Sequence, residues 1–305
     1  MKKLYIIGNG FDLHHGLPTS YADYKKFLQG ENPDFVARFD DFLDRYVEPN
    51  ENISTDNIDK WSDLESYTRY IYEFDLNEIL EEAVNYSEKD MGRASYWHDI
   101  QSICDAYSAW INGIRLSVPD WIKTIDYSEK VQDLNLPIDK TATYLNFNYT
   151  KTLEEIYAIP HEKILHIHGI IGGELVFGND KMPKKAIAGG SLPQDYTEDA
   201  DWRVNEAARI LNEALEKSSN YYKDTATRIR ANQQFFQECN ECQELIFMGY
   251  GFGNEDMNYM QELLIQGKAL KKVIFYYHEQ KDYERFVKLF KAQLDDKVEV
   301  ESIEW

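Results

Sequence analysis

A four-residue apolar run that stops on a glycine turn constrains this chain more than any other feature. Leu4-Tyr5-Ile6-Ile7 has the continuity of a strand buried on both faces, and Gly8-Asn9-Gly10 follows it without a linker. Such a strand belongs in a parallel sheet covered by helices. Matching runs lie downstream at Thr143 to Phe147, Lys163 to Ile167, Glu244 to Met248 and Val273 to Tyr277. Helical patterns follow several of them, at Thr152 to Tyr157, Asn254 to Ile265 and Asp282 to Leu294. Strands alternating with helices predict an α/β fold, a Rossmann-like doubly wound and mostly parallel sheet.

The distance between the first run and the second is far more than a crossover needs, so something is inserted. Residues 20–125 are rich in aromatic and acidic side chains, with helical spacing at Phe35, Phe39, Phe42, Leu43 and Tyr46. They read as a helical insertion or cap, broken by a polar loop near Glu48 to Lys60. The expected organisation is a nucleotide-binding α/β domain from 1–19 and 126–305 around that insertion. A second helical stretch is expected from about Asp199 to Glu238.

The N-terminal apolar run is too short for a signal-peptide core or a membrane span, which predicts a cytoplasmic, membrane-free protein. A formal net charge of −21 opposes nonspecific binding to nucleic acid or anionic lipid. The basic stretches Lys181 to Lys185 and Lys268 to Lys272 are short and read as solvated faces. Three cysteines, Cys104, Cys239 and Cys242, do not make a disulfide framework, and Cys239-x-x-Cys242 has no second pair to complete a zinc site. No metal is expected.

Chemistry concentrates at strand exits. Gly8 and Gly10 permit a tight turn and a close backbone approach to phosphate, although Leu13 stands where the dinucleotide fingerprint has its third glycine. A purely structural turn is the competing reading. Asn146-Phe147-Asn148-Tyr149-Thr150, His166-Ile167-His168-Gly169 and Gly249-Tyr250-Gly251-Phe252-Gly253-Asn254-Glu255-Asp256 close three more runs, at the edge where open α/β sheets bind ligands. Strand alternation predicts Asn146 and Asn148 on one face, and likewise His166 and His168.

These residues carry a resemblance. Gly8-Asn9-Gly10 with Gly16-Leu17-Pro18, Asn148, His168-Gly169 and Gly249-Tyr250-Gly251-Phe252 resemble sirtuin motifs. Gly8 to Leu13, Gly16 to Tyr21, Trp61 to Glu65, Phe147 to Thr150 and His166 to Gly169 look more closely like the bacteriophage abortive infection family AbiH. That resemblance, from Leu4 to about Ile265, implies a role in phage defence. The sirtuin likeness implies NAD as substrate or ligand, while the missing four-cysteine module argues against protein deacetylation.

Under that reading the reaction is cleavage of the nicotinamide–ribose bond. Asn148 is placed on ribose hydroxyls or water, because an amide both donates and accepts without titrating. His168 is the candidate base, histidine being the side chain that changes charge near neutral pH. Gly8, Asn9, Gly10, Phe11, Asp12, His15, Asn146, Gly249, Gly251 and Asp256 are the candidate nucleotide contacts. Asp12 and Asp256 have helix capping as an alternative, His15 a helix start. His166 is read as orienting His168, and Asp63 and Glu65 as an acidic helix face or a reach over the cleft. A non-catalytic NAD or ADP-ribose sensor and a structural interaction protein remain alternatives to the NADase. A phage-derived trigger protein and a homo-oligomer are the macromolecular partners considered.

Overall fold

Each predicted apolar run is a strand, and the strands hydrogen-bond side by side in one parallel sheet. The computed structural model describes residues 2–46, 61, 64–68, 112–128, 135–179, 209–210, 212–213 and 222–305. The expected polar loop over 48–60, Asp63, Cys104, Lys181 to Lys185 and most of the stretch from Asp199 to residue 221 lie outside them.

The strands are β1 (Lys3–Ile7), β2 (Thr143–Asn146), β3 (Ile164–His166), β4 (Glu244–Met248), β5 (Lys272–Tyr277) and β6 (Glu299–Glu304). Their order is β3-β2-β1-β4-β5-β6, with every pairing parallel. That is the doubly wound arrangement, with the winding reversing between β1 and β4. β6 is the strand the apolar pattern misses. Its sequence, EVESIE, is mostly exposed, and Glu299 and Glu301 reach Lys272 of β5 at 3.2 and 2.9 Å.

The helices are α1 (Asn9–His14), α2 (Tyr21–Glu31), α3 (Pro33–Tyr46), α4 (Leu64–Tyr67), α5 (Thr152–Tyr157), α6 (Thr225–Ala231), α7 (Gln233–Glu238), α8 (Met257–Gln266) and α9 (Gln280–Leu289). Strand alternation splits the core in two. Leu4, Ile6, Leu145, Leu245, Phe247, Val273 and Phe275 point to one face, where Phe236 of α7, Tyr259, Met260 and Leu263 of α8 and Phe286 of α9 cover them. Tyr5, Ile7, Tyr144, Ile246 and Met248 point to the other, under Phe11 of α1 and Leu153 and Tyr157 of α5. Each large apolar side chain so buried contributes roughly 1.5–3 kcal/mol. Cys239 and Cys242 are buried free thiols within the first layer, and burial pushes the Cys239 thiol up to about 12. They are core residues.

The chain forms two compact units. The first is Met1–Glu31, Val118–Val176 and Asp224–Trp305, which holds the sheet. Ser20 precedes its α2, and the Ser20 hydroxyl accepts the Asp23 N–H at 3.1 Å, a side-chain cap. The second is Asn32–Ser117 and Phe177–Lys223. There α3 buries Phe35, Val36, Phe39 and Leu43 at helical spacing, Phe39 meets Trp61 edge to face at 5.1 Å, and the Trp61 indole donates to Asp40 at 2.7 Å. In the same unit Glu65 pairs with Lys223, which is 1% exposed. Among the described residues no helix is long and apolar enough to cross a membrane.

Candidate functional site at the strand exits

At the point where the winding reverses, the exits of β1 and β4 touch backbone to backbone. The Gly8 N–H donates to Met248 O at 3.1 Å, the Gly10 N–H to Gly249 O at 2.9 Å and the Phe11 N–H to Gly8 O at 2.9 Å. A Cβ on Gly8 would stand 2.6 Å from Gly249 O, and one on Gly10 2.7 Å from Gly249 Cα. Gly249 itself has φ +62°, and its Cβ would meet Phe11 N at 2.1 Å. The glycines therefore let two strand exits pack against each other, and the Gly8, Gly10 and Phe11 amides are already satisfied. Asn9 is exposed; its side chain donates to Thr19 O at 2.8 Å and ties down the Gly16-Leu17-Pro18 loop.

Beneath this junction lies a polar knot. Asp12 lies inside α1 and is fully buried, so it does not cap the following turn. Its carboxylate accepts the Thr150 hydroxyl at 2.5 Å and the Thr152 hydroxyl at 2.6 Å. Burial pushes the Asp12 carboxyl up to about 6, against the pull of those hydroxyls and of the Asn148 amide. Asn148 also donates from Nδ2 to Gly8 O at 3.1 Å, and its N–H donates to Asn146 Oδ1 at 3.0 Å. The exit of β2 is thereby pinned to the exit of β1. Thr150 and Thr152 went unsingled in the sequence, yet Thr-x-Thr on a strand-to-helix exit is a ready clamp for a buried acid.

The two histidines of the β3 exit part company. His166, the last residue of β3, shares the α5 face with Ile164, and its Nε2 lies 3.0 Å from Glu154 Oε1 of α5. His168 falls in the turn beyond the strand and lies with Phe147, at 5.2 Å edge to face, and Tyr259 on the α8 face. The expected shared face fails because alternation ends where the strand ends. Consequently His166 does not orient His168. The carboxylate beside His168 is instead Asp256, whose Oδ1 lies 3.0 Å from His168 Nε2, close enough to pair but out of line for a hydrogen bond. Asp256 occupies the N-cap position of α8 without a side-chain cap bond. Gly169, φ +85°, lets the Glu174 carbonyl come so close that any Cβ would collide with it. Tyr250, on the β4 exit, is buried against Phe147 at 4.8 Å, and its hydroxyl makes no hydrogen bond.

Other expected contacts turn inward. His15 is 5% exposed, its Nδ1 2.6 Å from Phe11 O and its Nε2 2.5 Å from the Tyr157 hydroxyl. Phe11 is a core side chain. The Gly251 carbonyl is approached by Arg285 of α9 at 3.5 Å. Asn146 is buried and serves Asn148 and His166.

Fold and exits together define a doubly wound, Rossmann-like α/β protein with polar residues gathered at the carboxyl edge of its sheet. The chain belongs to the bacteriophage abortive infection family AbiH, whose model matches residues 4–278. No curated protein and no solved structure matches it.

Proposed function

We propose that this chain serves phage defence by taking NAD at the carboxyl edge of the sheet and hydrolysing its nicotinamide–ribose bond. The observation that carries the reading is buried His168 with the Asp256 carboxylate 3.0 Å from its Nε2, one strand exit away from Asn148. With Asp256 facing Nε2, Nδ1 is left to accept a proton. Water adds to the ribose C1′ as the bond to nicotinamide breaks with its electron pair, and His168 takes the proton of the attacking water. Asn148, whose Nδ2 is engaged by Gly8, offers its carboxamide oxygen to a ribose hydroxyl. The glycine junction does not cradle the diphosphate with its own Gly8, Gly10 and Phe11 amides, so that end of the ligand depends on shape and on Asn9.

The alternative, a sensor that binds NAD or ADP-ribose without cleavage, draws on the same internal commitments of Asn148. The two separate on one set of samples. Nicotinamide release and ligand-induced melting shift are measured on wild type, His168→Ala and Asp256→Asn. An NADase loses about a hundredfold or more of its turnover in His168→Ala while keeping affinity within a few-fold. Turnover that persists in a folded His168→Ala protein removes the base assignment. Binding without turnover in wild type establishes the sensor, and no shift with NAD, ADP-ribose or ATP refutes the ligand class.

A further inference from the structure

On the α5 face, away from His168, three donors converge that the proposed reaction does not use. Glu154 comes from α5, His161 from the short 3-10 turn His161–Lys163, and His166 from the end of β3. Glu154 Oε1 lies 3.0 Å from His166 Nε2 and 3.5 Å from His161 Nδ1, and the three ligand atoms all fall within 4.8 Å of one another. We propose that Glu154, His161 and His166 bind one borderline divalent cation of the Zn2+ class, with a fourth position open to water.

The dimensions support it. Ligands at 2.0–2.1 Å around a tetrahedral ion stand about 3.3 Å apart, between the two separations found for Glu154. Two imidazoles with one carboxylate select a borderline transition ion over Mg2+ or Ca2+, which take oxygen ligands. The surroundings agree as well. Glu154 Oε2 is buried without a hydrogen-bond partner, an acceptor that a cation would satisfy. His166 Nδ1 has the Asn148 carbonyl at 3.5 Å and the Asn146 amide nitrogen at 3.4 Å as neighbours, so with Nε2 on the metal its proton would go to the carbonyl, the outer contact that holds a ligating imidazole. A chain carrying −21 formal charge also concentrates cations near its surface. Bound there, the ion ties α5 to β3 directly behind Asn148. Cysteine spacing gives no sign of such a site; Glu-x6-His-x4-His is a looser pattern, completed only when α5 folds back beside β3.

The test uses the full chain, freed of metal with a chelator and dialysed against micromolar Zn2+, with bound metal read by elemental analysis. Wild type should hold about one equivalent. His161 is 72% exposed, so His161→Ala should keep the melting temperature of the apoprotein while weakening affinity by about tenfold or more. Glu154→Gln should do the same to affinity, and His278→Ala, an exposed histidine elsewhere, should not. Substituting Co2+ should give the intense visible bands of a four-coordinate site without a thiolate charge-transfer band. Absence of stoichiometric Zn2+ in wild type overturns the proposal, as does binding that His161→Ala leaves intact or a thiolate band that assigns the ion to Cys239 and Cys242.

Discussion

Replacing Asp12 by asparagine should make the protein's stability less dependent on pH, in a direction the geometry fixes. The buried carboxyl is raised from 3.8 to about 6, so the folded state binds its proton more tightly than the unfolded chain. A raised acid stabilises the fold fully only below the unfolded value and loses that contribution as pH climbs through the folded one. The shift of about two units corresponds to roughly 3 kcal/mol between strongly acid and neutral pH. Because the unfolded carboxyl is already mostly ionised at pH 5, about half of that loss, roughly 1.4 kcal/mol, falls between pH 5 and pH 8. The substituted carboxamide has no proton to lose. It keeps the shape and gives up one acceptor to Thr150 or Thr152, a pH-independent cost of about 1 kcal/mol to which the titration of wild type is added. Urea unfolding of both proteins at pH 5, 6, 7 and 8 isolates the term, since other titrating groups cancel in the difference. The stability of Asp12→Asn relative to wild type should rise by roughly 1–1.5 kcal/mol across that window. A flat difference, or one that falls with pH, would show that the two hydroxyls and Asn148 outweigh burial and that Asp12 is an ordinary ionised carboxylate.

Gly249→Ala adds a methyl that meets Phe11 N at 2.1 Å on a backbone at φ +62°, and should destabilise by about 3 kcal/mol or more, read as a drop in urea midpoint; a loss under about 1 kcal/mol would mean the β1/β4 junction can open. Tyr250→Phe removes a buried hydroxyl that makes no hydrogen bond, so stability should hold or rise by up to about 1 kcal/mol, and a clear fall in calorimetry would refute the unpaired assignment. Lys223→Met strips this cation from half-buried Glu65 and should cost about 3–5 kcal/mol, with Glu65→Gln added to it recovering part of the loss; equal stability of wild type and Lys223→Met would mark the pair as energetically idle.

How much of this was readable in advance depends on what each residue's neighbours are. Five strands announced themselves because a strand buried on both faces must be continuously apolar, as Glu244–Met248 is after its first residue. β6 escaped because an exposed edge strand needs no such run, and its acids are selected by Lys272 on the neighbouring strand. The strand exits were legible as places, since ligand edges of α/β sheets are fixed by topology. What each exit residue does was not, because it turns on contacts across 140 positions, such as Thr152 with Asp12. Glycine spacing cannot tell a phosphate approach from a backbone approach. Here Met248 and Gly249, far along the chain, take the Gly8 and Gly10 donors a ligand was expected to take. His166 and His168 are two apart, yet only the first is on the strand, so their common face was an extrapolation of one residue too many.

The placement of β1 at the centre of the sheet has a price during synthesis. Leu4 pairs with Thr143 on one side and Lys3 with Glu244 on the other, so the first strand made is flanked by the second and the fourth. At roughly 5–20 residues per second, β1 waits about 7 to 28 s for β2 and about 12 to 48 s for β4. Throughout that interval Leu4 to Ile7, apolar on both faces, lacks a complete pair of ladders. Such a segment is a template for association with another nascent chain, and its sequestration until Glu244–Met248 is made becomes a condition of the yield of active protein.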